Sequence, residues 1–393
     1  HVRGIILLSG GVTSHLSILA RSLNIPLVIA DEPGLLTLAA GTPVLLDAVM
    51  GQIHVNPAQE LVDQIIQRED LHKDIASLKL LIRKDPCTKD KTRVHLMANI
   101  NLLGDLKAAL EFNAEGVGLY RTEFPFIMRS DFPTEEEQFQ IYRRLLEGMK
   151  GKEVTFRTLD IGGDKVLSYY NNEKEENPFL GLRSIRFSLR HCEIFIQQIR
   201  AILKAGAGHN IRIMFPMISS LDEFYQARDV VKECARQLTE DGEEHHAAPK
   251  LGIMVELPSV LEIIDELARD VDFFSVGTND LIQYILAVDR TNEKVADMYV
   301  PHHPSVLRIL KKVARAARRF KKDISICGDM AHDPKYLPFF VGIGIRQFSV
   351  DPRYLPRMHE KLSTLSAKDA RGFAKRILAK TTVRETSQML GEC

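Results

Sequence analysis

Between Arg93 and Val350, short β-rich runs alternate with longer stretches of helical periodicity, and this alternation narrows the fold more than any other feature of the chain. The spacing predicts strands over 95–100, 116–122, 154–160, 211–217, 251–256, 273–276, 324–327 and 347–350. Helices are expected between them, over 105–112, 134–149, 193–205, 221–238, 259–268, 305–320 and 335–342. A helix that carries the chain back along a strand leaves the next strand parallel to it, so about eight such pairs fit an α/β fold, the (β/α)8 TIM barrel. Periodicity does not show closure, and a doubly wound open sheet satisfies the same pattern.

The first 57 residues read differently. A strand, a glycine turn, a helix and a second strand at 26–30 precede short turn-bounded strands that end at Gly51-Gln52-Ile53-His54-Val55-Asn56-Pro57. In Ser9-Gly10-Gly11-Val12-Thr13-Ser14-His15, a glycine pair and two hydroxyl residues deliver His15 to the first turn of a helix marked by Leu16, Leu19 and Leu23. Backbone N–H groups at a helix start favour the neutral, nucleophilic imidazole and an incoming phosphoryl group. The plain alternative is a capping or packing histidine. From residue 58 the pattern becomes charged and apolar at helical spacing without glycine or proline, a connecting helix. The expected domains are 1–57, part of an α/β unit; 58–83, a linker helix; 84–366, the barrel; and 367–393, a helical tail. The chain opens on His1, directly before an apolar run, and so reads as N-terminally incomplete.

Composition removes several function classes. Lys plus Arg and Asp plus Glu both number 52, so no global field draws the chain to nucleic acid or to an anionic membrane. Its apolar runs are too short to span a bilayer. The cysteines Cys87, Cys192, Cys234, Cys327 and Cys393 are odd in number and form no C-x-x-C pair. They fit reduced thiols and a cytoplasmic protein.

In a barrel, reactive side chains project from the C-terminal ends of strands. Tyr120-Arg121-Thr122-Glu123, Arg157-Thr158-Leu159-Asp160 followed by Gly162-Gly163-Asp164-Lys165, then Glu256, Gly277-Thr278-Asn279-Asp280 and Cys327-Gly328-Asp329 all fall there. Arg121, Arg157, Arg183 and Arg290 are planar forks suited to carboxylate and phosphate oxygens. Glu256 and Asp280 are hard oxygen ligands suited to a partly hydrated Mg²⁺ shared with a phosphate. Together they describe a site for a small phosphorylated acid, although each arginine alone equally suits an ion pair closing the barrel top. Cys327 is either a small buried hydrophobe or a thiol placed to give a proton to carbon.

As a set these segments are highly specific. With Pro133-Thr134-Glu135-Glu136-Glu137-Gln138, Glu175-Glu176-Asn177-Pro178-Phe179-Leu180-Gly181 and Met214-Phe215-Pro216-Met217, the chain from Gly10 to about Leu362 resembles bacterial enzyme I. That family is the phosphoenolpyruvate-protein phosphotransferase of the sugar phosphotransferase system and of its nitrogen-related branch. The resemblance implies Mg²⁺-dependent transfer of the phosphoryl group of phosphoenolpyruvate to His15, release of pyruvate, and onward transfer to a histidine-containing phosphocarrier protein. It implies that Arg121, Arg157, Arg183 and Arg290 hold the substrate's carboxylate and phosphate, with Lys165 and Asn279 beside them. By the same resemblance Glu256 and Asp280 hold Mg²⁺, Cys327 protonates the enolate carbon, and the barrel forms a homodimer. The histidine-bearing unit would swivel about the connecting helix, and the carrier's docking region would lie before His1.

Phosphoenolpyruvate synthases and pyruvate phosphate dikinases share the histidine motif and the barrel, and a fragment of one of these, or a non-catalytic module that senses phosphoenolpyruvate, is the alternative. The chain departs from the enzyme I pattern at four places. Val12 stands where Arg is frequent, and Asp329 replaces the more usual Glu. His332 and Asp351-Pro352-Arg353 stand where small residues are usual.

Overall fold

The computed structural model describes residues 2–8, 16, 19–20, 23, 25–30, 32–48, 52–57, 62, 82–127, 129, 131–162, 169–170, 175–292 and 294–391. The chain divides into two compact units, one within 1–80 and the other within 81–163 and 167–393. In the first, β1 (Ile5–Leu7) pairs in parallel with β2 (Leu27–Ile29), Ile5 opposite Leu27. A hairpin joins β3 (Val44–Asp47) to β4 (Gln52–Val55). Leu16, Leu19 and Ala20 are helical, and Ala20 is buried. His15 and, apart from Val62, the connecting stretch 58–81 lie outside the described residues.

The second unit contains eight strands, β5 (His95–Ile100), β6 (Val117–Arg121), β7 (Val154–Arg157), β8 (Ile211–Phe215), β9 (Lys250–Val255), β10 (Phe273–Gly277), β11 (Asp323–Cys327) and β12 (Gln347–Val350). All pair in parallel, and β12 pairs with β5 through Gln347 opposite His95, so the sheet closes on itself. Closure resolves the open-sheet alternative in favour of the barrel. Every side chain of β8 and β10 is buried, as expected of strands packed on both faces. Leu119, Met214, Met254, Phe273 and Cys327, from five different strands, form one apolar cluster.

The helices begin where local chemistry starts them. Thr134 and Glu137 form a reciprocal capping box that opens Glu135–Gly148. The Ser220 hydroxyl accepts from the Glu223 N–H at the start of Leu221–Glu240. The stretches 259–268 and 335–342, expected as single helices, each divide. The 3₁₀ turn Pro258–Leu261 precedes the helix Ile264–Asp270, with Ile263 at φ −113° between them. Pro334–Tyr336 precedes Leu337–Ile343, because Pro338 has no N–H to continue a ladder from the turn before it. The helix Ala367–Leu378 packs on Leu337–Ile343, and Val383–Gly391 follows it. Among the described residues no helix is long and apolar enough to cross a membrane.

Candidate active site

Arg121 and Arg157 end the neighbouring strands β6 and β7 and stand opposite each other in register. Arg157 is only 5% exposed. Its Nη2 pairs with Glu123 Oε1, and its Nη1 lies 3.0 Å from Asp160 Oδ2. Arg183, just beyond the 3₁₀ turn Pro178–Leu180, is 3% exposed. It donates from Nη2 to Asp160 Oδ1 at 3.1 Å, and from Nη1 to Asp280 Oδ1 at 3.3 Å and to the Tyr284 hydroxyl at 3.1 Å. Burial by itself would lower the pKa of either guanidinium. Glu123 and Asp160 around Arg157, and Asp160 and Asp280 around Arg183, outweigh it and raise both.

Glu256 follows β9 and is 1% exposed. Its Oε1 accepts from the Met217 N–H at 2.6 Å. Asp280 lies in the first turn of the helix Thr278–Leu286. Burial, then the charges of Asp280 and Asp160, push the Glu256 carboxyl up to about 8 against the pull of Arg157 and Arg183. Among the described residues no three His, Cys, Asp or Glu side chains gather as a cation cage.

Cys327 ends β11, fully buried, and donates its S–H to the Val276 carbonyl at 3.3 Å while accepting from Ser275 Oγ at 3.4 Å. Burial pushes its thiol up, so it carries its proton at neutral pH. Gly328, at φ +87°, turns the chain directly after it. A Cβ there would lie 2.4 Å from Thr278 Oγ1 and 2.8 Å from Asn279 Oδ1, so only glycine lets the ends of β10 and β11 meet this closely. Asn279 Oδ1 accepts from the Asp329 N–H at 2.8 Å across that junction. Arg290 is anchored through its own N–H to Gln283 Oε1 at 3.2 Å.

Arg121, Arg157, Glu256, Asn279, Asp280 and Cys327, expected at the mouth, thus stand at or just beyond the C-terminal ends of barrel strands, and Arg183, from the long segment after β7, joins them through Asp160 and Asp280. His15 and Lys165 lie outside the described residues. Reasoning from sequence placed Glu123 and Asp160 at strand ends without a role and did not single out Tyr284; these three hold the two buried arginines. Their place at the ends of two strands is the signal that pointed to Glu123 and Asp160.

Residues 76–367 match the family model described as PEP-utilising enzyme, PEP-binding domain, and 1–51 match that of the PEP-utilising enzyme, mobile domain. A phosphoenolpyruvate-protein phosphotransferase of Bacillus subtilis is 41% identical over 98% of this chain and 67% of its own length. One from Geobacillus stearothermophilus is 42% identical over the same shares, 98% and 67%. Among solved structures, a citrate lyase from Burkholderia xenovorans aligns with 78% of this chain and 92% of its own at 14% identity and a TM-score of 0.45. With family models on both of its units and such relatives along nearly its whole length, the chain belongs to the bacterial phosphoenolpyruvate-protein phosphotransferase (enzyme I) family.

Proposed function

We propose that this chain transfers the phosphoryl group of phosphoenolpyruvate to His15 and releases pyruvate. The observation that carries the reading is the gathering of two buried, carboxylate-held arginines, the Glu256 and Asp280 carboxylates and a protonated Cys327 thiol at one barrel mouth. The substrate carries a carboxylate and a phosphate, and Arg121, Arg157, Arg183 and Arg290 hold these, with Lys165 and Asn279 beside them. As His15 attacks, a P–N bond forms and the P–O bond to the enol oxygen breaks, leaving the electron pair on the enolate. The Cys327 thiol then gives its proton to the terminal carbon, yielding pyruvate, and the thiolate recovers a proton from solvent.

Glu256 and Asp280 fit Mg²⁺. Both are buried, and burial together with the Asp280 charge raises the proton affinity of Glu256, a cost a divalent cation offsets, while two such ligands leave room for water and phosphate oxygens. When bound there, Mg²⁺ supplies positive charge to the phosphoryl oxygens. Onward transfer to a histidine-containing phosphocarrier protein and a homodimer through the barrel are further parts of the proposal, supported by the motif resemblance. A cytoplasmic location is supported by the free thiols of Cys87, Cys192, Cys234 and Cys327.

Incubation with phosphoenolpyruvate and Mg²⁺ is expected to place an alkali-stable, acid-labile phosphate on the wild-type chain and none on His15→Ala, with pyruvate formed in step. An undiminished yield in the variant overturns the assignment.

A further inference from the structure

The last two loops of the mouth carry side chains that this reaction scheme leaves unused. His332 ends the short helix Asp329–His332 after β11, and Tyr354 ends the 3₁₀ turn Pro352–Tyr354 after β12. Their rings stack with centroids 4.3 Å apart and planes 15° apart. Because β11 and β12 are neighbours in the barrel, the stack fastens two adjacent strand-end loops together and fixes how the imidazole points.

Two of the three carboxylates around His332 are engaged elsewhere. Asp351 accepts from Arg353 Nε at 2.9 Å and Nη2 at 2.8 Å, and Asp333 pairs with Lys335 at 2.8 Å. Among the described residues, neither ring nitrogen of His332 takes part in a hydrogen bond to protein. The charges facing the ring are Asp329 and Asp333 on its own segment, Asp351 from the β12 loop and Arg121 from the end of β6. Burial, aided by Arg121, keeps the ring neutral against the pull of the three carboxylates. A pinned neutral imidazole with an uncommitted N–H, in the field of an arginine at the same mouth, is an anion-binding arrangement.

We infer that His332 is a further substrate-binding residue, its ring N–H donating to the anionic group of phosphoenolpyruvate that Arg121 holds; this rests on the function proposed above. The test is steady-state kinetics of His332→Phe, which keeps an aromatic ring on Tyr354 and removes the donor, beside His332→Gln, which keeps an N–H donor. The KM for phosphoenolpyruvate is expected to rise about tenfold in His332→Phe with kcat within about twofold, and to recover in part in His332→Gln. An unchanged KM in His332→Phe overturns the inference. Phosphate on His15 at saturating phosphoenolpyruvate is read separately in every variant, and its absence from the wild type counts against the proposed reaction instead.

Discussion

Asp160 accepts from Arg157 through one carboxylate oxygen and from Arg183 through the other, at 3.0 and 3.1 Å. A buried carboxylate shared in this way sets the separation of two guanidinium groups whose own solvation has been lost. Replacing Arg157 by Met removes the cation that offsets both Glu123 and Asp160. Loss of one member of a buried ion pair destabilises by about 3–5 kcal/mol, and Arg157→Met is expected to fall in that range. The chain has no tryptophan, so urea unfolding followed by far-ultraviolet circular dichroism is the suitable measurement. A change below about 1 kcal/mol would show that Arg183 alone neutralises the site. In the sequence, Arg157 and Asp160 are legible as neighbours on one strand end. That Asp160 also reaches Arg183, 23 positions later, depends on how the intervening loop returns, and no local pattern carries that information.

Two helices at the barrel's outer wall touch without side chains between them. A Cβ on Gly342, in Leu337–Ile343, would lie 2.1 Å from the Ala370 carbonyl oxygen and 2.7 Å from Ala374 Cβ in Ala367–Leu378. Gly342→Ala is expected to drive the helices apart and destabilise by about 1–3 kcal/mol. At Gly372, in the second of these helices, the nearest atom to an added Cβ is Arg376 Nη1 at 3.6 Å. Gly372→Ala should therefore stabilise by up to about 1 kcal/mol through helix propensity. Thermal melts of the two variants check both signs together, and equal shifts would refute the packing argument. The periodicity of 335–342 announces a helix there, but not that Pro338 restarts it or that its glycine is the point of contact. Helical period reports which face is apolar, and closest approach depends on a partner about thirty residues further on.

At the scale of the molecule, the barrel unit is tied where its chain enters and leaves. His359, in the helix Leu355–Thr364 after the last strand, is 2% exposed, and its Nδ1 accepts from the Arg83 N–H at 3.5 Å. Burial, then the charges of Arg83 and Arg93, hold the imidazole down to about 4. The unfolded chain takes up this proton near pH 6.5, before the folded one does. The stabilisation is therefore complete above that pH and is lost as pH falls towards 4. Between about pH 7 and about pH 5 this group alone removes about 2 kcal/mol, and His359→Gln should flatten that part of the stability profile. Urea unfolding of both proteins at the two pH values tests it, parallel losses being the adverse result.

Strand and helix periods, and the polar residues at strand ends, are written within windows of about ten residues by alternation and spacing, so the eight β/α units and most of the mouth could be read directly. Closure of β12 on β5, the sharing of Asp160 by two arginines, the burial and carboxylate repulsion that raise Glu256 and the stacking of His332 on Tyr354 all join residues too far apart in the chain for one such window. Which strand-end loops meet, and how far from water they meet, is settled by barrel packing. The electrostatic character of the site follows from that packing, because charges interact strongly only once they are brought together and desolvated.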